Sequence, residues 1–470
     1  MPGTVGATGT TDGGTVGGGG GSTAADAGSL RRTLTFRDLI VYGLLFIAPM
    51  APVGIFGTLE AKSHGAIATV YIVATLAMAF TAYSYAQMVR VAPQAGSVFT
   101  YARVGLGEGA GFVAGWMAML DYLLIPAVAY LFSGIALHSL VPSVHQWVWT
   151  VIAVVVTTLL NLWGVRTAAV VGFLVLAMEI AVLVVFVVAA VCVLVTDGAQ
   201  RGWATPLTGE GAFSMTAVLA AVSVAVLSFL GFDAIASFAE ESAGGSQRVA
   251  RAVITCLVVA GVLFVVQSYL AALLAPMSAA ELAAQPGGQG DAFYTTADDA
   301  VGEWLQKLVA ASKAIGAAFA ALAGQAAAGR LLFAMARDRR LPGAMSKVDA
   351  GSGVPRRALL GAALVTLVAA VWAARRDDGL DQLSSIVNVG ALTAFGLLHA
   401  SVIGWFRIRG HAESPNLLAH VIVPLLGLAV VVAVIVAASP TAQVIGAVWL
   451  VVGLAVLALQ YRARRAGTPD

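Results

Sequence analysis

The sequence predicts an all-α integral membrane protein with about twelve transmembrane helices, built as two inverted repeats of five helices plus two more. Three observations predict this fold class. The 470 residues are 59% hydrophobic and 11% charged, whereas a soluble domain carries roughly 25% charged residues. About twelve apolar segments each approach the ~20 residues that cross a bilayer. The first and the sixth are interrupted, and a shift of five helices reverses direction in the membrane.

The apolar segments, called spans 1 to 12 in chain order, divide the chain. They lie at about 38–60, 65–89, 108–138, 147–164, 168–195, 213–239, 251–275, 304–336, 357–374, 382–405, 418–438 and 442–461. Residues 1–30 are rich in Gly and Thr without an apolar run, so we expect a disordered cytoplasmic tail. Residues 31–465 form the membrane domain, with a first repeat (38–195), a second repeat (213–405) and two accessory helices (418–461).

The distribution of Lys and Arg predicts the orientation. Twenty of the 26 lie in the two tails and the even-numbered connections between spans. Five lie in the odd-numbered connections, and Lys313 lies within span 8. We expect the protein to lie in the cytoplasmic membrane. Because cytoplasmic loops carry an excess of positive charge, both termini are expected to lie in the cytoplasm.

Span 1 is interrupted near its middle by Pro49 and Pro52. Proline has no backbone N–H and clashes with the preceding turn, so two of them should unwind the helix locally. Freed backbone groups are tolerated at membrane depth only inside protein or beside a cavity. Interrupted helices mark the substrate sites of transporters. The candidate substrate-binding residues here are Ala48, Pro49, Met50, Ala51 and Gly54.

Span 6 contains a second predicted interruption, at Gly231. Aromatic residues flank this glycine and an aspartate follows at membrane depth. Asp233 either caps the second half of the helix or contacts substrate. Phe229, Phe232 and Phe46 are candidate aromatic walls, which could hold an ammonium group by cation–π contact. The candidate substrate-binding residues of span 6 are Phe229, Gly231, Phe232 and Asp233.

Several motifs resemble those of the amino acid–polyamine–organocation (APC) permeases, over roughly residues 35–460. They are Pro93-Gln-Ala-Gly-Ser-Val-Phe-Thr-Tyr-Ala, Gly115-Trp with Asp121-Tyr, Phe229-Leu-Gly-Phe-Asp with Glu240-Glu241, and Arg330-Leu-Leu with Ala336-Arg-Asp and Leu341-Pro. The Ala-Pro-Met of span 1 and the Leu120-Asp-Tyr-Leu of span 3 look most like the putrescine-importer branch. The resemblance implies the leucine-transporter fold and secondary active uptake.

Ionisable residues inside the membrane are costly unless paired, so each is a candidate functional group. Glu179 lies about eleven residues into span 5, roughly 16 Å deep. It is either a buried neutral carboxyl or the carrier of a coupling proton. In some proton-coupled members of the family the matching position looks to hold a lysine.

Asp121, in span 3, either meets a substrate ammonium group or pairs with Lys313. His399 is interpreted as a packing residue. Glu240 and Glu241 are candidates for an inner gate with Arg248 or Arg251.

The coupling ion is predicted from span 8. Sodium-coupled members of this fold use hydroxyl groups there, but Gly316 to Gly324 offers only Ala, Gly, Leu and Phe side chains. Hard cations need oxygen ligands, so the sequence favours protons over sodium.

The substrate class stays open between amino acid and polyamine. The Pro49–Pro52 turn supplies few N–H donors for a carboxylate, which favours an amine. Span 1 has no acid before Glu60, which disfavours a diamine. Gly54 and Gly57 would still allow a carboxylate to approach the backbone.

We therefore expect a proton-coupled importer of an amino acid or polyamine that works by alternating access. The alternatives are an exchanger of amines or amino acids, and a sensor or receptor that binds without transport. No metal set, nucleophile–base pair or cofactor motif indicates an enzyme. We expect no cofactor, no metal and no nucleic-acid partner, and Cys192 and Cys256 are predicted to be buried thiols.

Overall fold

The computed structural model describes residues 34–93, 97–163, 168–237, 242, 244–337, 343–347, 355–409 and 416–465. These residues are nearly all helical and include no β-strand; one isolated bridge pairs Leu34 with Ser242. The predicted all-α class is therefore confirmed. The predicted tail at 1–30 and the proposed gate residues Glu240 and Glu241 lie outside the described residues.

Seven helices make up the first half of the chain. They are α1 (Phe36–Ile47), α2 (Ala51–Ser63), α3 (Ile67–Val91), α4 (Ser97–Leu106), α5 (Glu108–Leu140), α6 (Gln146–Trp163) and α7 (Ala168–Thr196). Helices α1 and α2 together form span 1, and α3, α5, α6 and α7 are spans 2 to 5. Helix α4 is the short connection between spans 2 and 3.

Eleven α-helices follow in the second half. They are α8 (Thr205–Thr208), α9 (Met215–Ala225), α10 (Ala234–Ser237), α11 (Gly245–Leu274), α12 (Ala279–Ala284), α13 (Ala292–Ala300), α14 (Glu303–Arg337), α15 (Arg356–Ala374), α16 (Gly379–Ile403), α17 (Val423–Ala437) and α18 (Pro440–Arg465). Short 3₁₀ turns lie at Val226–Phe229, Pro286–Gly288 and Gly343–Ser346, and π turns at Gly404–Ile408 and Leu418–Ile422. Span 6 runs from α9 to α10, and spans 7 to 12 are α11 and α14 to α18.

Eleven of the described helices are long and apolar enough to cross a membrane, or up to twelve if α1 and α2 count as one bent span. This confirms the predicted number. The largest difference is at span 7, which begins at Gly245 rather than near residue 251. The division into two inverted repeats and two accessory helices stays a prediction.

Two non-helical turns interrupt the spans where the sequence places its prolines and its glycine. The span-1 turn (Ala48, Pro49 and Met50) joins α1 to α2 at an angle of 46°. The span-6 turn (residues 230–233) follows the 3₁₀ turn after α9.

The span-6 turn touches the end of α1, just before the span-1 turn. Gly231 has φ of +109°, and a Cβ atom there would lie 2.7 Å from the carbonyl oxygen of Phe46. Glycine is required at this position both for its left-handed backbone and for the close approach of the two chains. The span-6 turn therefore packs against the end of α1, where span 1 is interrupted.

Burial separates an inner group of helices from the periphery. The apolar window of span 10 is 72% buried and that of span 6 is 67% buried, whereas those of spans 11 and 12 are 22% and 17% buried. Helices α17 and α18 thus lie at the edge of the bundle. Pro49, Met50 and Phe232 of the two turns are buried, whereas Ala48, Gly231 and Asp233 are partly buried.

Candidate functional site

Two buried side chains donate hydrogen bonds to backbone carbonyls of the span-1 turn, one of which, that of Met50, also accepts the N–H of Val53. Gln267 of α11 donates from Nε2 to the Pro49 carbonyl at 2.9 Å. Lys313 of α14 donates from Nζ to the Met50 carbonyl at 3.0 Å. The neighbouring Ser312 hydroxyl lies 3.4 Å from the Met50 sulfur. Helices α11 and α14 therefore hold the turn from both sides.

Lys313 is deeply buried, with 3% of its surface exposed. Its ammonium group lies 4.8 Å from the centre of the Phe132 ring, a cation–π contact. Its charge is within electrostatic reach of the Glu179 carboxyl on α7, which is equally buried. A buried charge is tolerated only with such partners. Sequence reasoning identified Glu179 but missed its electrostatic interaction with Lys313.

Gly316 makes room for the Glu179 carboxyl. A Cβ atom at this position would overlap the Glu179 side chain, so the carboxyl packs directly on the α14 backbone. Gly316 lies three residues after Lys313 and hence on the same face of the helix. The small residues of span 8 therefore serve, at this point, to admit a charged side chain.

The glycines of α2 are covered by protein. A Cβ atom at Gly54 would lie 2.6 Å from the Phe132 ring, and one at Gly57 would overlap the Gln289 carbonyl. The expectation that these glycines leave space for a substrate carboxylate is not met in this conformation. Gly54 instead allows α2 to pack closely on α5.

Asp121 does not pair with Lys313. Lys313 contacts Phe132, and eleven residues separate Asp121 from Phe132 along α5, which corresponds to about 16 Å of helix. Asp121 lies instead beside Gly390 of α16, whose Cβ position is 3.4 Å from the Asp121 nitrogen. Of the two roles considered from the sequence, pairing with Lys313 is therefore wrong.

Asp121 and Asp233 form an acidic pair, a name used here for these two residues. Their carboxyl groups lie within electrostatic reach of each other, one on α5 and one in the span-6 turn. The Oδ1 atom of Asp121 is buried and has no hydrogen-bond partner among the described residues. The Tyr85 hydroxyl donates to Oδ2 of Asp233 at 3.4 Å. Two close acids with an unfilled acceptor suit a bound cation.

Aromatic rings surround the acidic pair and the span-6 turn. Phe232 lies edge-on to Tyr85 at 5.7 Å, and Tyr85 also meets Tyr101 at 5.9 Å. Phe229 packs 5.0 Å from Phe264. Phe229 and Phe232 are fully buried, whereas Phe46 is 41% exposed. The first two line the interior as expected, while the Phe46 side chain is not enclosed with them.

His399 is a packing residue, as interpreted from the sequence. Its ring nitrogens lie 2.8 Å from the Ser84 hydroxyl and 3.3 Å from the Thr81 hydroxyl, both on α3. The ring rests on Gly427 of α17. Its hydrogen-bonding groups are thus satisfied between three helices.

Of the two cysteines, Cys256 is buried as expected, whereas Cys192 is exposed, which corrects the prediction for that thiol.

These features define a class of membrane protein. A bundle of about twelve spans, two spans interrupted by neighbouring non-helical turns, and buried charges beside them are the architecture of a multi-pass permease. The chain belongs to the amino acid permease family, whose model matches residues 40–446. The resemblance to APC permeases drawn from the motifs is therefore confirmed.

Three relatives show the range of the family. The low-affinity putrescine importer PlaP of Escherichia coli is 27% identical over 445 residues, covering 94% of this chain and 96% of the relative. The branched-chain amino acid permease BcaP of Bacillus subtilis is 29% identical over 407 residues, covering 80% and 81%. The vacuolar cationic amino acid transporter 4 of Arabidopsis thaliana is 26% identical over 393 residues, covering 80% and 63%.

Proposed function

We propose that this protein is a proton-coupled importer of an amine-bearing solute, an amino acid or a polyamine, that works by alternating access in the cytoplasmic membrane. The observation that carries the proposal is the buried Lys313 ammonium, which binds the Met50 carbonyl in the span-1 turn within reach of Glu179. This arrangement links a proton-binding carboxyl to the backbone where span 1 bends.

The proton acts through the balance of charge on Lys313. When Glu179 is ionised, its charge offsets that of the ammonium group in a low-dielectric setting, where the attraction is strong. Protonation of Glu179 removes this attraction, so Lys313 keeps only its neutral partners, the Met50 carbonyl and the Phe132 ring. Protonation of Glu179 therefore changes how strongly Lys313 interacts with the Met50 carbonyl in the span-1 turn. The two protonation states of Glu179 thus favour different positions of α2.

The same geometry supports protons rather than sodium as the coupling ion. The residues of α14 beside the span-1 turn are Ser312 and Lys313, one turn before the Gly316–Gly324 segment considered from the sequence. The Lys313 ammonium takes up the Met50 carbonyl oxygen that a metal cation would need. The positive charge beside the span-1 turn is thus the ammonium group of Lys313 rather than a sodium ion.

The acidic pair supports an amine as substrate. Asp121 and Asp233 together offer a negative site lined by tyrosines, and the unfilled acceptor of Asp121 can take a donor from an ammonium group. Aromatic rings add cation–π attraction. The relatives named for putrescine and for cationic amino acids handle solutes with this group. We assign the substrate ammonium to this pair.

The outward surface adds to the attraction for cations. The connections and helix ends predicted to face outward carry eleven acidic and five basic residues, and Glu60 is the one of these acids that is completely buried. An acidic mouth raises the local concentration of a cationic solute and its rate of encounter. The acids are Glu60, Asp197, Glu210, Glu281, Asp291, Asp298, Asp299, Glu303, Asp377, Asp378 and Asp381.

The test is uptake into proteoliposomes of the purified protein, with radiolabelled putrescine, lysine and leucine offered in parallel. We expect accumulation of at least one of them when the lumen is alkaline, loss of accumulation with a protonophore, and no requirement for sodium. Accumulation driven by a sodium gradient without a pH gradient would overturn the proton assignment. Specific binding of these solutes without any flux would favour the sensor alternative.

A further inference from the structure

The outer end of α2 is enclosed by the connection between spans 7 and 8. Phe56 meets Phe293 of α13 edge-on at 5.6 Å. The Gly57 backbone packs against the Gln289 carbonyl and the side chain of Ala292. Nearly every residue of α2 is buried. The structure is therefore closed over this half of span 1 on the side predicted to face outward.

Arg201, in the connection between spans 5 and 6, ties this closed region together. Its Nη1 atom lies 2.7 Å from Oε2 of Glu60, in the last turn of α2, and 3.3 Å from Oε1 of Glu210. Its Nη2 atom donates to the Met277 carbonyl, at the start of the segment that covers α2. One guanidinium group thus joins three connections.

Glu210 reinforces the same junction through its backbone and its side chain. Its N–H donates to the His64 carbonyl, just after α2, at 2.6 Å. Its Oε2 atom accepts from the Ala279 N–H at 2.9 Å. Glu210 therefore joins the same two segments that Arg201 joins, the end of α2 and the connection between spans 7 and 8. The junction is a network rather than a single ion pair. Glu281 is a further acid near Arg201.

Within this network, Glu60 is the residue whose side chain would be better solvated if the outer side of the protein opened. Its side chain is completely buried, and its Oε1 atom has no hydrogen-bond partner among the described residues. An unsatisfied buried carboxylate oxygen is unfavourable, and water would satisfy it. Because Glu60 would be hydrated in an open conformation, the contact with Arg201 opposes that opening, beside the more exposed ion pair of Lys62 with Asp381 at 3.0 Å.

We propose that Arg201 is the centre of an outer latch, formed with Glu60, Glu210 and the Met277 carbonyl, that holds α2 in the outward-closed conformation. Breaking the latch shifts the protein towards the outward-open conformation. Arg201 acts through α2 and is a positioning residue of the transport cycle. This role is independent of which solute is carried.

The experiment reports the position of α2 directly. The reporter is Thr58→Cys in a background with Cys192→Ala and Cys256→Ala, since Thr58 is 1% exposed and its hydroxyl has no partner among the described residues. A membrane-impermeant maleimide is applied from outside to cells that contain the full chain, and the rate of labelling is measured. Arg201→Gln and Glu60→Gln are each added to this background. Arg376→Gln is the matched control, since Arg376 is on the same side but half-exposed.

Arg201→Gln and Glu60→Gln are each expected to raise the labelling rate about tenfold or more, because a buried ion pair is broken. The control is expected to label at the parent rate. Glu60→Gln keeps the shape of the side chain. If Arg201→Gln does not give a monodisperse protein, the labelling rate of the Glu60→Gln variant alone tests the latch. An unchanged rate in the folded variants, or an equal rise in the Arg376→Gln control, would overturn the latch.

Discussion

The Nζ atom of Lys313 lies 3.0 Å from the carbonyl oxygen of Met50, which joins α14 to the turn that interrupts span 1. Both residues are almost fully buried. The Met50 carbonyl also accepts the N–H of Val53 at 3.2 Å, and Lys313 adds a charged donor to the same oxygen. Glu179 is the acid that balances this charge within the membrane.

Lys313→Met should destabilise the protein by about 3–5 kcal/mol and abolish uptake, since it leaves the buried Glu179 carboxylate without its neighbouring cation and removes a hydrogen bond to the Met50 carbonyl. The matched control is Lys307→Met on the same helix, whose exposed pair with Glu303 is worth at most about 1 kcal/mol. Thermal unfolding in detergent and proteoliposome uptake would measure the difference. Equal stability of the two variants would contradict the structural role of Lys313.

Glu179→Gln should abolish accumulation driven by a pH gradient while leaving exchange of labelled for unlabelled solute intact. The amide cannot bind and release the coupling proton, but it retains the shape of the carboxyl over Gly316. Counterflow and gradient-driven uptake, measured on the same vesicles, separate these two effects. Glu303→Gln, at the exposed end of α14, serves as control and should keep both activities. Gradient-driven accumulation in the Glu179→Gln variant would remove Glu179 from the coupling role.

Asp121→Asn should weaken binding of the amine substrate at least about tenfold, which corresponds to ~1.4 kcal/mol, because the acidic pair loses one charge. Stability should change little or rise, since the Oδ1 atom of Asp121 is already without a partner among the described residues. Ligand-induced thermal stabilisation of wild type and variant would give the affinities. Unaltered affinity for every amine that the wild type binds would place the ammonium elsewhere.

Gly231→Ala should impair folding or transport severely, because the new methyl group would lie 2.7 Å from the Phe46 carbonyl oxygen. Gly211→Ala is the matched control, since Gly211 has a similar φ of +103° but open space around its Cβ position. The control therefore carries the backbone strain alone, about 1–2 kcal/mol. Expression, monodispersity and uptake of the two variants would be compared. Similar losses in both would mean that the close contact between Gly231 and the end of α1 is not required.

Asp291→Asn should stabilise the protein at neutral pH and have little effect in acid. Burial raises the pKa of the Asp291 carboxyl above its ordinary value of 3.8, against the opposing charge of His138. The folded state thus favours the protonated form, so this residue's contribution to stability falls as the pH rises from 3.8 through the raised pKa. Melting temperatures between pH 4 and 8 would show a smaller decline in the variant. The exposed Asp298→Asn is the control, and identical profiles for both variants would refute the effect.

The sequence predicted which segments cross the membrane and where two of them bend. Length and hydrophobicity are local properties, and the consequences of Pro49, Pro52 and Gly231 for the backbone are also local, so these features could be derived residue by residue. The helix bounds agree for the same reason. The family followed from short motifs whose residues are contiguous in the chain.

The partners of the buried charges could not be derived in this way. Asp121 and Lys313 were an obvious pair by charge, yet α5 and α14 pack so that Lys313 meets Phe132 and Asp121 lies about 16 Å further along the helix. The register between two helices depends on how small residues such as Gly316 and Gly324 fit the opposing side chains, here Glu179 and Pro126. No pattern within one helix contains that information.

The sequence by itself thus determined the class of protein, the number of spans and the existence of two interruptions. The tertiary structure alone decided that the span-6 turn meets the end of α1 at Gly231 and Phe46, that Lys313 binds Met50, and that Arg201 joins Glu60 to two other connections. The physical reason is that hydrophobicity and backbone propensity act over a few residues, whereas the pairing of buried charges depends on packing between segments more than a hundred residues apart.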